Sequence, residues 1–340
     1  MDSRAALLIV AQNMPLCAET LETAVLLSSL SKAFRRVWRP PAGLPPRARC
    51  DDFARVGFLE GLQWARSRGK AWNTQTCANA ARGGHLRVLQ WAYLHACPWN
   101  EWTCAAAAEG GHLHVLQWAH SQSCPWNAGT CEQAAAGGHL RVLQWARESG
   151  CGWDVGTCAS AAQGGHLSVL QWALEHGCPC DADTCASAAA GGHLSVLQWA
   201  LENGCEWDEQ TCDEAARGGH LSVLQWARAN GCEWDERTSY SAASRGDLHV
   251  LQWAFAQNCP RDAFTCACAA RGGHLQLLQW ARSMQCPWDE MTCDFASMRG
   301  HLHVLQWARS MQCPWNRDRC LEVSAKHPHV QEWIQSQPTA

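Results

Sequence analysis

Gly110-Gly111-His112-Leu113-His114-Val115-Leu116-Gln117-Trp118-Ala119 decides the fold, because the same pattern returns along the chain at a fixed step of 27 residues. Its tryptophans are Trp64, Trp91, Trp118, Trp145, Trp172, Trp199, Trp226, Trp253, Trp280 and Trp307, and Trp333 closes the series one residue early. A fixed period of this size means a stack of identical supersecondary units rather than ordinary domains. Each unit buries its apolar face only against its neighbours.

One unit can be read outward from that stretch. Position one is always Asp or Asn, as at Asn73, Asn100, Asn127, Asp154 and Asp181. Such a side chain accepts hydrogen bonds from the free N–H groups of a first helical turn, which predicts a helix A starting there. Thr103, Cys104, Ala107 and Ala108 then share one face by their three- and four-residue spacing, and their small size lets a neighbouring helix come close. Gly110 and Gly111 end helix A, since glycine reaches the left-handed conformation without strain. Helix B starts near His112, and Leu113, Val115, Leu116, Trp118 and Ala119 form its apolar face. The replacement of this histidine by Asp247, a good helix cap, reads the whole histidine series as caps. Helix B ends at Gly150, Gly177, Gly204, Gly231 or Asn258, again a left-handed stop. Helices of about ten residues are unstable alone in water, so the stack must hold them. The tryptophans of helix B are read as core.

The composition fits a packed array and excludes several classes. Of the 340 residues, 47% are hydrophobic, and the net charge is −4. Residues 1–49 hold seven basic and three acidic residues, which leaves 20 basic and 28 acidic ones from position 50 onward. An acidic array disfavours nucleic acid and anionic membranes as partners. No apolar run approaches the length that spans a bilayer. The stretch from Ala5 to Ala11 runs into Gln12 and Asn13 without a convincing cleavage site, so no signal peptide is expected and a cytoplasmic place, with the nucleus also open, is. Nineteen of the 22 cysteines fall on two repeat positions, exemplified by Cys104 and Cys124. Without an export signal these read as reduced, buried thiols acting as small apolar residues.

The unit resembles an ankyrin repeat that has lost its β-hairpin finger. Ala107 and Ala108 match the alanine pair of the ankyrin pattern, Gly111 to Leu116 its Gly-His helix start, and Gly150-Cys151-Gly152-Trp153-Asp154 its closing Gly-Ala-Asp-Val-Asn. The six residues by which this unit is shorter come from the finger segment, and the Thr-Pro turn is absent. The resemblance implies an all-α solenoid of about eleven helix-turn-helix units over residues 50–335, with residues 336–340 as a tail. Residues 1–39 read as an N-terminal helical segment and Arg39-Pro40-Pro41-Ala42-Gly43-Leu44-Pro45-Pro46 as a stiff linker over 40–49. Leu30-Ser31-Lys32-Ala33-Phe34-Arg35, after a short apolar helix and turn, is similar to a degenerate F-box, the module that docks substrate adaptors on a ubiquitin-ligase scaffold. A plain cap on the first repeat is the competing reading.

Catalytic and metal chemistry find little support. Equivalent histidines such as His112 and His139 sit one layer apart, roughly 8–10 Å, too far to share an ion. His176, Cys178, Cys180 and Cys185 form the best local metal candidate, but two short loops do not supply four tetrahedral ligands. No nucleotide-binding or nucleophile motif is present. No catalytic residue, cofactor or metal is therefore assigned. The informative positions are those that vary between units, because stacking does not fix them. On helix A these include Trp102, Glu109, Glu214, Arg217, Phe264, Arg271 and Phe295. They are the candidate partner-binding residues, with Trp102, Phe264 and Phe295 expected to be exposed and Phe264, Arg271 and Phe295 to form one patch. The function so implied is a monomeric, non-catalytic scaffold that binds a protein on the concave helix A face. A ubiquitin-ligase adaptor and a metal- or redox-responsive cysteine protein are the alternatives.

Overall fold

The structure, a computed structural model, describes residues 49–338. Among these residues 22 helices, α1 to α22, run in chain order from Cys50–Arg55 to Pro328–Ser336, and there is no strand. Odd-numbered helices are the A helices and even-numbered ones the B helices, giving eleven pairs. Units 3 and 4 show the pattern: α5 (Glu101–Glu109), α6 (Leu113–Ser121), α7 (Ala128–Ala136) and α8 (Leu140–Glu148). The architecture is an all-α solenoid. No described helix is long and apolar enough to cross a membrane.

The helix ends follow from the residues at them. The Asp or Asn before each helix A from unit 2 onward is extended, and its side chain accepts a backbone N–H at Asn73, Asn127, Asp154, Asp208, Asp235, Asp262, Asp289 and Asn316. Asn100 and Asp181 hold the same place without such a bond. The second glycine after helix A is left-handed, with φ of 73° at Gly111 and 72° at Gly138. At the end of helix B, Gly150 and Asn258 are left-handed too, and Ala96, Ser123, Gln285 and Gln312 adopt the same conformation without being glycine.

Successive A helices pack closely on one another along the array, while successive B helices have no comparable backbone approach. The cause lies in side-chain size. The A helices meet through alanine, cysteine and threonine, as at Cys104, Ala107, Ala108 and Thr103, all fully buried. The B helices carry leucine and tryptophan, which hold them apart. A stack that is tighter on one side bends toward it, so the A helices form the inner face.

The fully buried large side chains are the helix B leucines, from Leu62 through Leu116 and Leu143 to Leu305. The repeat tryptophans are not core, contrary to the sequence expectation: they are half-buried and lie over that leucine row. Most of them meet the tryptophan that follows the preceding helix B, with ring centroids 5.8 Å apart for Trp99–Trp118 and Trp126–Trp145. An arginine near the end of helix B stacks on that second tryptophan, as Arg147 does on Trp153 at 4.0 Å. One unit reverses the pair. Arg261 stands in the tryptophan place and Phe255 in the arginine place, and the cation still lies 4.6 Å from the ring. Such contacts contribute about 0.5–1 kcal/mol each where exposed.

Candidate partner-binding face

The histidine series works differently from a cap. No histidine before helix B accepts a bond from its own helix. Most of the rings reach back instead to the preceding unit. His139 Nε2 donates to the carbonyl of Glu109 at 3.0 Å, His166 to that of Ala136 at 3.0 Å, and His220 to that of Ala190 at 3.0 Å. A carbonyl partner fixes the neutral tautomer protonated at Nε2. The glycine pair follows from this link. A Cβ on Gly111 would lie 2.6 Å from the His139 ring, and one on Gly110 would lie 2.2 Å from the Arg82 carbonyl oxygen. Burial lowers the pKa of His112 and His301 below the ordinary 6.5.

The unit that lacks this histidine restores the link by other means. Asp247 caps its own helix, accepting from the backbone of His249 and Val250 at 3.1 Å. Arg245, standing where most other units have the first glycine, donates to the carbonyl of Arg217 at 3.2 Å. That carbonyl is the one a histidine at 247 would have reached.

The cysteine ladders are polar links as well as filler. The thiol after helix B donates to the carbonyl of the residue that caps the preceding helix A: Cys124 to Asn100 at 3.5 Å, Cys151 to Asn127 at 3.2 Å, Cys178 to Asp154 at 3.3 Å. Burial pushes the thiols of Cys185 and Cys320 up to about 12 and that of Cys259 to about 11. One pair departs from the expectation that all thiols are reduced. Cys180, which replaces a tryptophan, is joined by a disulfide to Cys205, with Cα atoms 5.8 Å apart. The other described cysteines are free and buried. His176 stacks on Trp172 and bonds its carbonyl, so His176, Cys178, Cys180 and Cys185 do not converge. No group of three or more potential metal ligands occurs among the described residues.

The inner face holds the seven variable residues in two separate regions. In α5, Trp102 is 61% exposed, and Glu109, two turns further on, pairs with Arg82 of the preceding unit at 2.7 Å. The other five lie three or more units away. Glu214 and Arg217 of α13 (Glu209–Gly218) pair with each other. Phe264 of α17 (Ala263–Gly272) and Phe295 of α19 (Glu290–Met298) stand edge to face at 5.9 Å, and the Arg271 guanidinium lies 6.0 Å from the Phe295 ring. These three residues are neighbours, but the two aromatics are half-buried rather than exposed, since their rings pack on each other and Phe264 also packs on the core.

This second region is a groove. Arg217, Tyr240, Ser241, Ser244, Arg245, Phe264, Cys268 and Arg271 line about 390 Å³ of open space across three units. Tyr240 and Arg245 belong to α15 (Glu236–Arg245), and Tyr240 meets Phe264 edge to face at 5.1 Å. The sequence reading missed Tyr240 and Arg245. Both carry a readable signal: Arg245 stands where most units have glycine, and Tyr240 is a large aromatic where the other units have alanine, an acidic residue or leucine.

A protein-family model described as Ankyrin repeats (many copies) matches residues 185–228. The match runs from within α11 (Ala182–Gly191) to within α14 (Leu221–Ala229), two consecutive helix pairs. No curated protein matches the sequence. Among solved structures, the chain is similar to the pentatricopeptide repeat protein PPR10 in complex with an 18-nt psaJ RNA element, and to a cysteine-to-serine variant of the same complex. In both cases the identity is 14% and the TM-score 0.38, and the match covers 98% of this chain and 57% of that one. The 27-residue units are helix pairs without a strand, and two of them match the ankyrin-repeat model.

Proposed function

We propose that this protein is a non-catalytic scaffold that binds another protein on its inner helix A face. The carrying observation is that the side chains left to solvent on that face are those in which the units differ, with Trp102 and Arg217 each 61% exposed. Stacking consumes the histidines, glycines, cysteines and leucines. An exposed tryptophan has a cost in solubility and suits a partner contact. The F-box-like segment and the Pro-rich linker lie outside the described residues, and a ligase-adaptor role rests on the sequence alone.

The test compares two surface variants of the full chain in affinity capture. One carries Trp102→Ala, Arg217→Ala and Arg271→Ala on the inner face. The other carries Arg87→Ala and Arg141→Ala, both exposed on B helices. Proteins retained by the wild type and by the B-helix variant, and lost from the inner-face variant, support the reading. Equal retention by both variants contradicts it.

A further inference from the structure

The groove on units 7 to 9 has a charge and a spacing that select a kind of partner. Arg217, Arg245 and Arg271 come from three successive units, and all three are exposed. Arg217 has a carboxylate beside it, Glu214. Among the described residues no carboxylate lies within ion-pair distance of Arg245 or Arg271. The nearby Asp213 is buried and accepts the hydroxyl of the groove residue Ser241. Arg299, exposed in unit 10, continues the row. Arg245, Arg271 and Arg299 thus stand without an ion-pair partner among the described residues, on an array that is acidic as a whole, Arg217 shares its charge with Glu214, and guanidinium groups favour bidentate carboxylates.

The spacing is the second argument. Stacked helices lie about 8–10 Å apart, so these cations repeat at about that interval. A polyproline II segment rises about 3.1 Å per residue with three residues per turn, so every third side chain returns to the same face after about 9.3 Å. The two periods agree. Between the cations, Tyr240 and Phe264 supply a half-buried apolar wall. Their rings engage each other edge to face, which leaves the wall suited to an apolar side chain rather than to the stacking of bases.

Building on the proposed function, we infer that this groove binds an extended segment of a partner protein that carries an acidic side chain at every third residue. Its carboxylates pair with Arg217, Arg245 and Arg271, and an intervening apolar side chain lies against Tyr240 and Phe264.

The full chain is titrated by fluorescence anisotropy with labelled peptides of one composition. In one, glutamates occupy every third position; in another the same residues are scrambled; in a third, glutamine replaces glutamate. A labelled single-stranded RNA of similar length is the fourth probe. The every-third peptide is expected to bind at least tenfold more tightly than the scrambled and glutamine peptides, and more weakly as salt rises. Arg217→Glu with Arg271→Glu should abolish that binding and create binding of the matching lysine peptide, a gain that an unfolded variant cannot show. Arg245 is left in place because it also links two units. Equal affinity for scrambled and ordered peptides, no binding by any peptide, or RNA binding that the same variants abolish overturns the inference. If these peptides fail while the inner-face variant still loses its captured proteins, the inference falls and the proposed function stands.

Discussion

Replacing His139 by alanine should weaken one specific joint of the array. The side chain donates to the Glu109 carbonyl across the interface between units 3 and 4, and its ring covers Gly111. Loss of the hydrogen bond costs about 1 kcal/mol. Loss of the ring's partial burial costs about 1 kcal/mol more. The expected total is about 2 kcal/mol, read from urea unfolding and from faster amide exchange localised to the units on either side. The Asp247 unit supplies a rescue. His139→Asp should cost about 1 kcal/mol less than alanine, because the carboxylate caps α8. Gly137→Arg alone should destabilise, since its Cβ would lie 2.6 Å from the His139 ring. Combined, the two changes copy Asp247 and Arg245, and a double-mutant cycle should show favourable coupling of about 1 kcal/mol or more. A His139→Ala variant within 0.5 kcal/mol of wild type, or strict additivity of the two changes, would refute the linkage.

Deleting residues 127–153, one whole unit, should leave a cooperative unfolding transition because the new ends re-stack, whereas deleting half a unit should abolish it; equal damage from both would contradict nearest-neighbour stacking. A thiol assay on protein unfolded without reductant should find two fewer thiols than the 22 in the sequence, and reduction should cost the central units up to about 3.5 kcal/mol for a loop of this length in the chain-entropy description; a full thiol count would remove the Cys180–Cys205 bond. Because burial holds His112 and His301 below 6.5 in the fold, the unfolded chain takes up their protons first as pH drops. Urea midpoints should therefore decline on acidification through pH 6.5, with less decline in a variant carrying alanine at both positions; an unchanged slope in that variant would assign the effect elsewhere.

Much of this was legible in the sequence because repetition multiplies weak signals. One Asp before a helical pattern is a guess, but the same Asp or Asn before every helix A from unit 2 onward fixes its start, and the glycine pair fixes its end. What stayed hidden depends on how units meet. A histidine at the first position of helix B reads as a cap, and only the stack reveals that its ring turns back to the carbonyl of Glu109 or Ala136. Likewise, Cys180 looked like a tryptophan replaced by a small residue. Its partner Cys205, 25 positions later, becomes its neighbour through the 27-residue period. The patch of Phe264, Arg271 and Phe295 was found by asking where units differ. Its rings turned out half-buried because the inner helices approach so closely. The same question put to the glycine slots and to the residue after the ladder cysteine would have added Arg245 and Tyr240.

The most direct test of binding on the inner face places a photo-crosslinking residue at position 271 or, separately, at position 141 on the outer helix α8, in the full chain. Irradiation in cell extract should give discrete adducts from position 271 and none from position 141. Adducts from position 141 with none from position 271 would contradict the account.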